Sequence, residues 1–468
     1  MIKSFSIKKS DISLDYRFEP SYYYFTKIIK EKSVACGTKY SKLKSFCQSI
    51  SDGEHSAIPR QKTAGVRYLY GRNIKDGIVN FDPNTDSSYI SESNYKKFTR
   101  VHLEENDVLL TIVGTVGKTA LYKQEYIGKA GINRNIANIR LKKDSLISPE
   151  YLVAFFLSKL GKWQLNNITT GNIQPLLSIG NIEKLEIPII KKELHEEITK
   201  IEDTIVEKET NALQLIESAQ QLFYSNIDVD FNHIYRSNLF TTTKNDILDA
   251  DLWTPLFSYP LFVNTIAAIK KRWNTVTIGE ITNIKKGDEV GSDSYVNYLD
   301  KHESDVPFIR TSDIVNYEID QYPDFFVPID IYNDINQGFK EGDILFTKDG
   351  KIGMVGLLTE NDKCIISSGF VGLQLNNKAF EYGITPEYLF LVLSIKEIGI
   401  YASKRRTVVA STIPHLREER LKEIEIPILD SSTISSITDN VRNAFKFKNE
   451  KKKLIKEVRE KMDGYFNL

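Results

Sequence analysis

At 468 residues, with 41% hydrophobic and 26% charged side chains, the chain is too long for one core and has the make-up of a globular protein of two domains. A formal net charge of 0 excludes a uniformly basic polyanion binder. The charge is nonetheless uneven: residues 1–190 carry 28 Lys and Arg against 18 Asp and Glu, and residues 230–429 carry 21 against 29. No apolar run approaches the ~20 residues of a membrane span, and the polar start Met1-Ile2-Lys3-Ser4 predicts no secretory signal. Cys36, Cys47 and Cys364 lie at no metal-ligand spacing and read as free thiols of a reducing compartment, so a cytoplasmic location is expected.

In chain order, Tyr68-Leu69-Tyr70 reads as a short strand running into a polar turn, and Asp107–Val113 as a buried strand ending at the paired glycines Gly114 and Gly117. Pro149–Leu157 opens with proline at an early helical position and continues apolar, which predicts one buried helix. Leu185–Ile190 reads as a strand whose internal Pro188 puts it on a sheet edge. The same series then returns. Glu105-Asn106-Asp107-Val108-Leu109 recurs as Glu341-Gly342-Asp343-Ile344-Leu345, 236 residues later, and Pro149-Glu150-Tyr151-Leu152 as Pro386-Glu387-Tyr388-Leu389. Leu185–Ile189 recurs as Ile424–Ile428, Pro307–Arg310 is the second short strand, and Phe18-Glu19-Pro20 is echoed by Trp253-Thr254-Pro255. A period this long is a duplicated domain rather than a solenoid.

A long amphipathic helix follows each copy. The first heptad seam is read as Ile198, Ile201, Ile205, Lys208, Ala212, Leu215, Ala219 and Leu222. The second is read as Ile434, Ile437, Val441, Ala444, Lys448, Lys451, Ile455, Val458, Met462 and Tyr465. Both seams are interrupted by lysine near the middle, so an antiparallel pair matches the breaks and the apolar ends. The predicted organisation is therefore a first α/β domain over 1–190, a connecting helix over 191–229, a second domain over 230–429 and a pairing helix over 430–468.

Signatures of chemistry are missing. Gly114-Thr115-Val116-Gly117-Lys118-Thr119 resembles the end of a phosphate-binding loop, but Ile112 stands where that motif needs glycine. The second copy, Gly350-Lys351-Ile352-Gly353, lacks the lysine and hydroxyl positions. The six histidines lie at no ligand spacing, and neither G-x-S-x-G nor H-E-x-x-H occurs. Neither a catalytic nor a metal site is expected.

The doubled strand with its G-x-x-G turn, P-E-Y-L, the I-P strand and the helix after each copy together resemble the specificity subunit of type I restriction–modification enzymes. Thr170-Gly171-Asn172-Ile173-Gln174 and Ser411-Thr412-Ile413-Pro414 stand where that family often has a G-x-T-Q-like turn. The resemblance implies an α+β protein: two pseudo-symmetric α/β target-recognition domains separated by an antiparallel coiled coil. Each domain would read one half of a split sequence on double-stranded DNA. Partners would be two methyltransferase subunits and, through them, restriction subunits of a bacterial or archaeal phage-defence system. No cofactor is expected on this chain; S-adenosylmethionine, ATP and Mg would sit on partner subunits. A 30-residue helix, ~45 Å long, is comparable with the ~34–36 Å turn of B-DNA, which fits a spacer between half-sites. The alternative reading is a protein-binding scaffold of a related defence system that does not itself read DNA.

Candidate DNA contacts follow from side-chain chemistry: arginine suits guanine, asparagine and glutamine suit adenine, and lysine neutralises phosphate. In the first domain these are Arg67, Arg72, Asn73, Lys118, Arg134, Asn135, Asn172 and Gln174. In the second they are Arg310, Ser312, Lys348, Lys351, Lys404, Arg405, Arg406, Thr407, Ser411 and Thr412. The run Lys404-Arg405-Arg406 reads as a phosphate clamp, or else as a solvated helix end.

Overall fold

The computed structural model describes residues 23–24, 27–28, 31, 37–61, 64–75, 77–80, 88–171, 175–245, 252–288, 305–409 and 413–468. They fall into two compact units. One takes in described residues of Met1–Phe81, Asp86–Lys208 and Glu450–Leu468, and the other those of Glu209–Asn449.

In the first unit, strands β1 (Cys47–Asp52), β2 (Val108–Thr111), β3 (Thr119–Leu121) and β4 (Ile136–Leu141) form an antiparallel sheet in the order β1-β4-β2-β3. All four residues of β2 are buried, as its unbroken apolar run predicts. Helix α1 (Pro149–Leu157) starts at proline, where the missing N–H is no loss. The Ser148 hydroxyl caps it, accepting from the Tyr151 amide at 3.1 Å. The Tyr151 hydroxyl donates to the Pro188 carbonyl at 2.8 Å. Pro188 lies in Glu186–Ile189, which among the described residues pairs only with Lys39–Lys42, an edge position that suits proline. Lys192–Asn226 is one helix of 35 residues, α2.

The second unit repeats this plan. Strands β5 (Thr282–Lys286), β6 (Ile314–Val315), β7 (Glu318–Ile319), β8 (Ile344–Thr347), β9 (Val355–Leu357) and β10 (Phe370–Leu375) include an antiparallel sheet in the equivalent order β5-β10-β8-β9. Helix α3 (Pro386–Ser394) is capped by Thr385, and the Tyr388 hydroxyl donates to the Pro427 carbonyl at 2.8 Å, the counterpart of Tyr151. Helix α4 (Ser431–Tyr465) is again 35 residues long.

The two long helices pair antiparallel within each unit. In the first, Lys461 meets Glu197 at 2.8 Å and Lys208 meets Glu450 at 2.6 Å, so residue numbers fall on one helix as they rise on the other. In the second, Ala212, Ile216, Ala219 and Phe223 share a core with Ile434, Ile437, Val441 and Ala444.

The register of the first helix departs from the predicted one. Ile198, Ile205, Ala212 and Ala219 are buried as expected, but Ile201, Lys208, Leu215 and Leu222 are only half-buried. The alternate seam positions belong to Glu202, Glu209, Ile216 and Phe223. A search for apolar spacing rejects acidic residues as seam positions and slips by one, yet both glutamates are buried. On the second helix Ile434, Ile437, Val441, Ala444, Lys448, Lys451, Ile455, Val458 and Met462 are all buried, with Phe466 rather than Tyr465 closing the series. The helices start at 192 and 431, an offset of 239. Adding 239 to 198, 202, 205, 209, 212, 216, 219 and 223 gives 437, 441, 444, 448, 451, 455, 458 and 462, so the two seams are copies position for position.

Glu202 is the anomaly of the first unit. Burial, then the Glu150 and Asp203 carboxylates, push its carboxyl up to about 8, against 4.5 when solvated. Lys123 is held elsewhere, by Asn106 at 2.7 Å, Glu150 at 3.3 Å and Asp203 at 3.4 Å. The folded state therefore holds a proton that the unfolded chain has lost between pH 4.5 and about 8, and stability falls as pH rises through that window. The slope is at most about 1.4 kcal/mol per pH unit. Glu202→Gln should remove it: in urea denaturation the variant should match the parent near pH 5 and exceed it at pH 8. Parallel pH profiles would contradict this assignment.

Candidate nucleic-acid interface

Each unit brings two sequence motifs together by main-chain hydrogen bonds. In the first, the chain leaving β2 turns through Gly114 and Gly117, at φ +81° and +85°, values that favour glycine. The Gly117 amide donates to the Thr111 carbonyl at 3.0 Å, and the Lys118 amide to the Thr111 hydroxyl at 3.0 Å. The polar hairpin based on Thr170 and Leu176 is tied to this turn: the Gly114 amide donates to the Pro175 carbonyl at 3.2 Å and the Leu177 amide to the Ile112 carbonyl at 2.9 Å. The Ile112 amide donates to the Asn135 carbonyl at 2.9 Å, which adds the turn carrying Arg134 and Asn135.

The second unit repeats the construction. Gly350 and Gly353 turn at φ +68° and +89°, and the Gly353 amide donates to the Thr347 carbonyl at 3.0 Å. Val408–Val409 pairs with Pro414–His415; the Gly350 amide donates to the Pro414 carbonyl at 3.0 Å and the Leu416 amide to the Lys348 carbonyl at 2.8 Å. Asp349 is held by Lys348 at 3.0 Å and by the His415 ring, so its charge is offset locally. The tips of both hairpins, with the candidates Asn172, Gln174, Ser411 and Thr412, lie outside the described residues.

The other candidates divide by burial. Arg72 and Arg134 are exposed and Asn135 is half-buried; Ser312, Lys351 and Lys404 are exposed. The Arg72 guanidinium lies over the Tyr70 ring at 4.7 Å, and Arg60 reaches the same ring's hydroxyl at 2.8 Å. Arg60 escaped the sequence reading because it belongs to no repeated motif, and Tyr70 reads only as part of a short strand. Cation–aromatic proximity alone could have marked them.

Several candidates are engaged inside the fold. Asn73 is buried, accepting from the Tyr70 amide at 2.8 Å and donating to the Asn80 carbonyl at 3.0 Å, which corrects its reading as an adenine contact. Lys118 is also buried, and Arg67 donates to the Ile127 carbonyl at 2.5 Å. Arg310 bonds Asp324 at 3.0 Å and lies over Phe325 at 4.2 Å. The run Lys404-Arg405-Arg406 closes a short helix, Tyr401–Arg405, as its second reading has it, but most of the run is not solvated. Arg405 donates to the Phe257 carbonyl at 2.9 Å and Arg406 is buried against Glu423 at 3.3 Å, its basicity lowered by burial; only Lys404 is exposed. The Thr407 hydroxyl is buried and donates to the Ser403 carbonyl at 2.7 Å.

Among the described residues no His, Cys, Asp or Glu group is arranged to hold a metal ion, and no helix is long and apolar enough to cross a membrane. Burial pushes the Cys47 thiol up to about 12, and Cys364 is buried and forms no disulfide.

The chain was compared with known proteins. None of the curated proteins matches it. Among solved structures it is similar to the S subunit of a type I restriction–modification system from M. genitalium, at 15% identity and TM-score 0.35, over 92% of this chain and 95% of that one. It is also similar to the HsdS subunit from Thermoanaerobacter tengcongensis, at 14% identity and TM-score 0.29, over 92% of this chain and 96% of that one. The family profile described as "Type I restriction modification DNA specificity domain" matches twice, over residues 37–220 and 270–457, together well over half the chain. With two copies of that domain, the chain belongs to the type I restriction–modification DNA specificity family, whose members recognise DNA and are not themselves catalysts.

Proposed function

We propose that this chain is the DNA-recognition subunit of a type I restriction–modification complex, with each unit reading one half of a split target on double-stranded DNA. The observation that carries the reading is the repeated frame in which a G-x-x-G turn is hydrogen-bonded to a second hairpin, with unlike side chains in the two copies. Domains that share a frame and differ in side chains can dock alike and read different bases. Exposed Arg72, Arg134, Ser312, Lys351 and Lys404, half-buried Asn135 and the hairpin-tip residues Asn172, Gln174, Ser411 and Thr412 are the proposed contacts. The paired helices serve as the spacer that fixes the gap between half-sites. Two methyltransferase subunits, and through them restriction subunits, assemble on this chain in the cytoplasm. S-adenosylmethionine, ATP and Mg belong to those partners.

Exchange of residues 1–190 for the equivalent domain of a relative tests this reading. With the cognate methyltransferase present, sequencing of modified adenines should show one half of the target changed and the other retained. A change in both halves, or in neither, would overturn it.

A further inference from the structure

The second unit holds a buried charged cluster for which the duplicated plan has no counterpart. Glu209 on α2 and Lys448 on α4 are both fully buried, with carboxylate and ammonium 3.3 Å apart. A third charge arrives from the sheet domain: Glu318 lies 3.6 Å from Lys448. Glu318 follows a two-residue turn between β6 and β7, in which Val315 pairs with Glu318 and Asn316-Tyr317 form the tip. Asn316, Tyr317 and Glu318 are 1, 5 and 3% exposed. All three address the long helices. The Asn316 amide donates to Glu209 at 2.8 Å, the Gln220 amide of α2 to the Tyr317 hydroxyl at 3.4 Å, and Glu318 faces Lys448.

The turn is also strained. Asn316 and Tyr317 sit at φ +47° and +72°. Asparagine tolerates that region, but a bulky aromatic residue there is an outlier that surrounding contacts must hold in place. The Tyr317 ring meets Phe390 edge-on at 5.7 Å. In the first copy, where Asn73 and Asp313 occupy like positions, Gly77 at φ +85° stands in place of Tyr317 and Ile78 in place of Glu318. The strained tyrosine and the buried acid are thus features of the second copy alone.

We infer that the 314–319 hairpin is a lock fixing the pose of the second recognition domain on the helix pair, with Asn316, Tyr317 and Glu318 as positioning residues for the second half-site. They touch no DNA. A domain free to rock on its helices would accept half-sites at neighbouring spacings, whereas a hairpin pinned by a buried ammonium between two carboxylates permits one. The spacing argument rests on the proposed reading of a split target; the mechanical lock does not.

The test uses the full chain and two readouts. Tyr317→Gly with Glu318→Ile gives the second copy the relaxed turn of the first and leaves the Glu209–Lys448 pair intact. In hydrogen–deuterium exchange, parent amides of residues 315–319 should be protected as well as those of Ile344–Thr347, and the variant's hairpin should exchange at least tenfold faster. With the methyltransferase present, adenine sequencing should show one gap length for the parent, and additional sites one base pair longer or shorter for the variant, both half-sequences unchanged. Rapid hairpin exchange in the parent overturns the lock even if the variant does not fold. A variant with unchanged exchange, or with loosened exchange and a single gap length, also overturns it. If the parent modifies no split target, the DNA-reading proposal fails instead, and exchange alone decides the lock.

Discussion

Lys448→Met should destabilise the protein by about 3–5 kcal/mol, among the largest losses a single substitution can cause here. The substitution removes the ammonium that Glu209 and Glu318 flank at 3.3 and 3.6 Å, while both acids stay buried in the seam. Removing one partner of a buried ion pair leaves the other charge less compensated, and here two carboxylates lose the same cation. Replacing all three charges, as Glu209→Gln, Lys448→Met and Glu318→Gln, should return most of the loss, because neutral amides can still accept the hydrogen bond from Asn316. Chemical denaturation followed by circular dichroism measures both. A deficit under about 1 kcal/mol would show that the seam admits enough water to solvate the glutamates.

A second large effect is expected at a tight elbow that each unit has within itself. A β-carbon on Gly161 would lie 2.0 Å from the Phe155 carbonyl oxygen, and one on Gly399 would lie 1.8 Å from that of Leu393. Both oxygens belong to the last turn of a fully buried helix, α1 or α3, so neither can yield without moving the element that anchors its domain. Gly161→Ala and Gly399→Ala should each lower stability by about 3 kcal/mol, and either should expose apolar surface that binds a hydrophobic dye. Gly464→Ala is the control. No atom lies within 4 Å of its β-carbon, and it sits in the last turn of α4, so a gain of about 0.5–1 kcal/mol is expected in the same denaturation series.

The parts of the fold that local chemistry dictates are readable from the chain. The proline-led runs at Pro149 and Pro386 become capped, buried helices, and the strands before Gly114 and Gly350 become the centres of equivalent sheets. What escapes is whatever depends on distant partners. Glu202 and Glu209 look like surface residues until a second helix covers them. Asn73 and Arg406 carry groups suited to nucleic acid, yet they satisfy neighbouring backbone and carboxylate groups. The 314–319 hairpin carries only half of the usual turn signal, since Asn316 is followed by tyrosine where glycine is preferred, and only its burial reveals what it does. Of the candidate interface, the glycine turns are visible as a repeat. Their hydrogen bonds to the hairpins are not, because those join segments about 60 residues apart.

The pairing of Glu209 with Lys448 has a consequence for any gene cut in two between the copies. The two residues are each other's counterparts, 239 apart like every other seam position, yet they carry opposite signs. A fragment bearing only the earlier helix, meeting its twin about the same axis, would press carboxylate on carboxylate. One bearing only the later helix would press ammonium on ammonium. In one polypeptide each helix instead carries the other's complement, and self-association of either fragment is disfavoured because it brings like groups together in the buried seam.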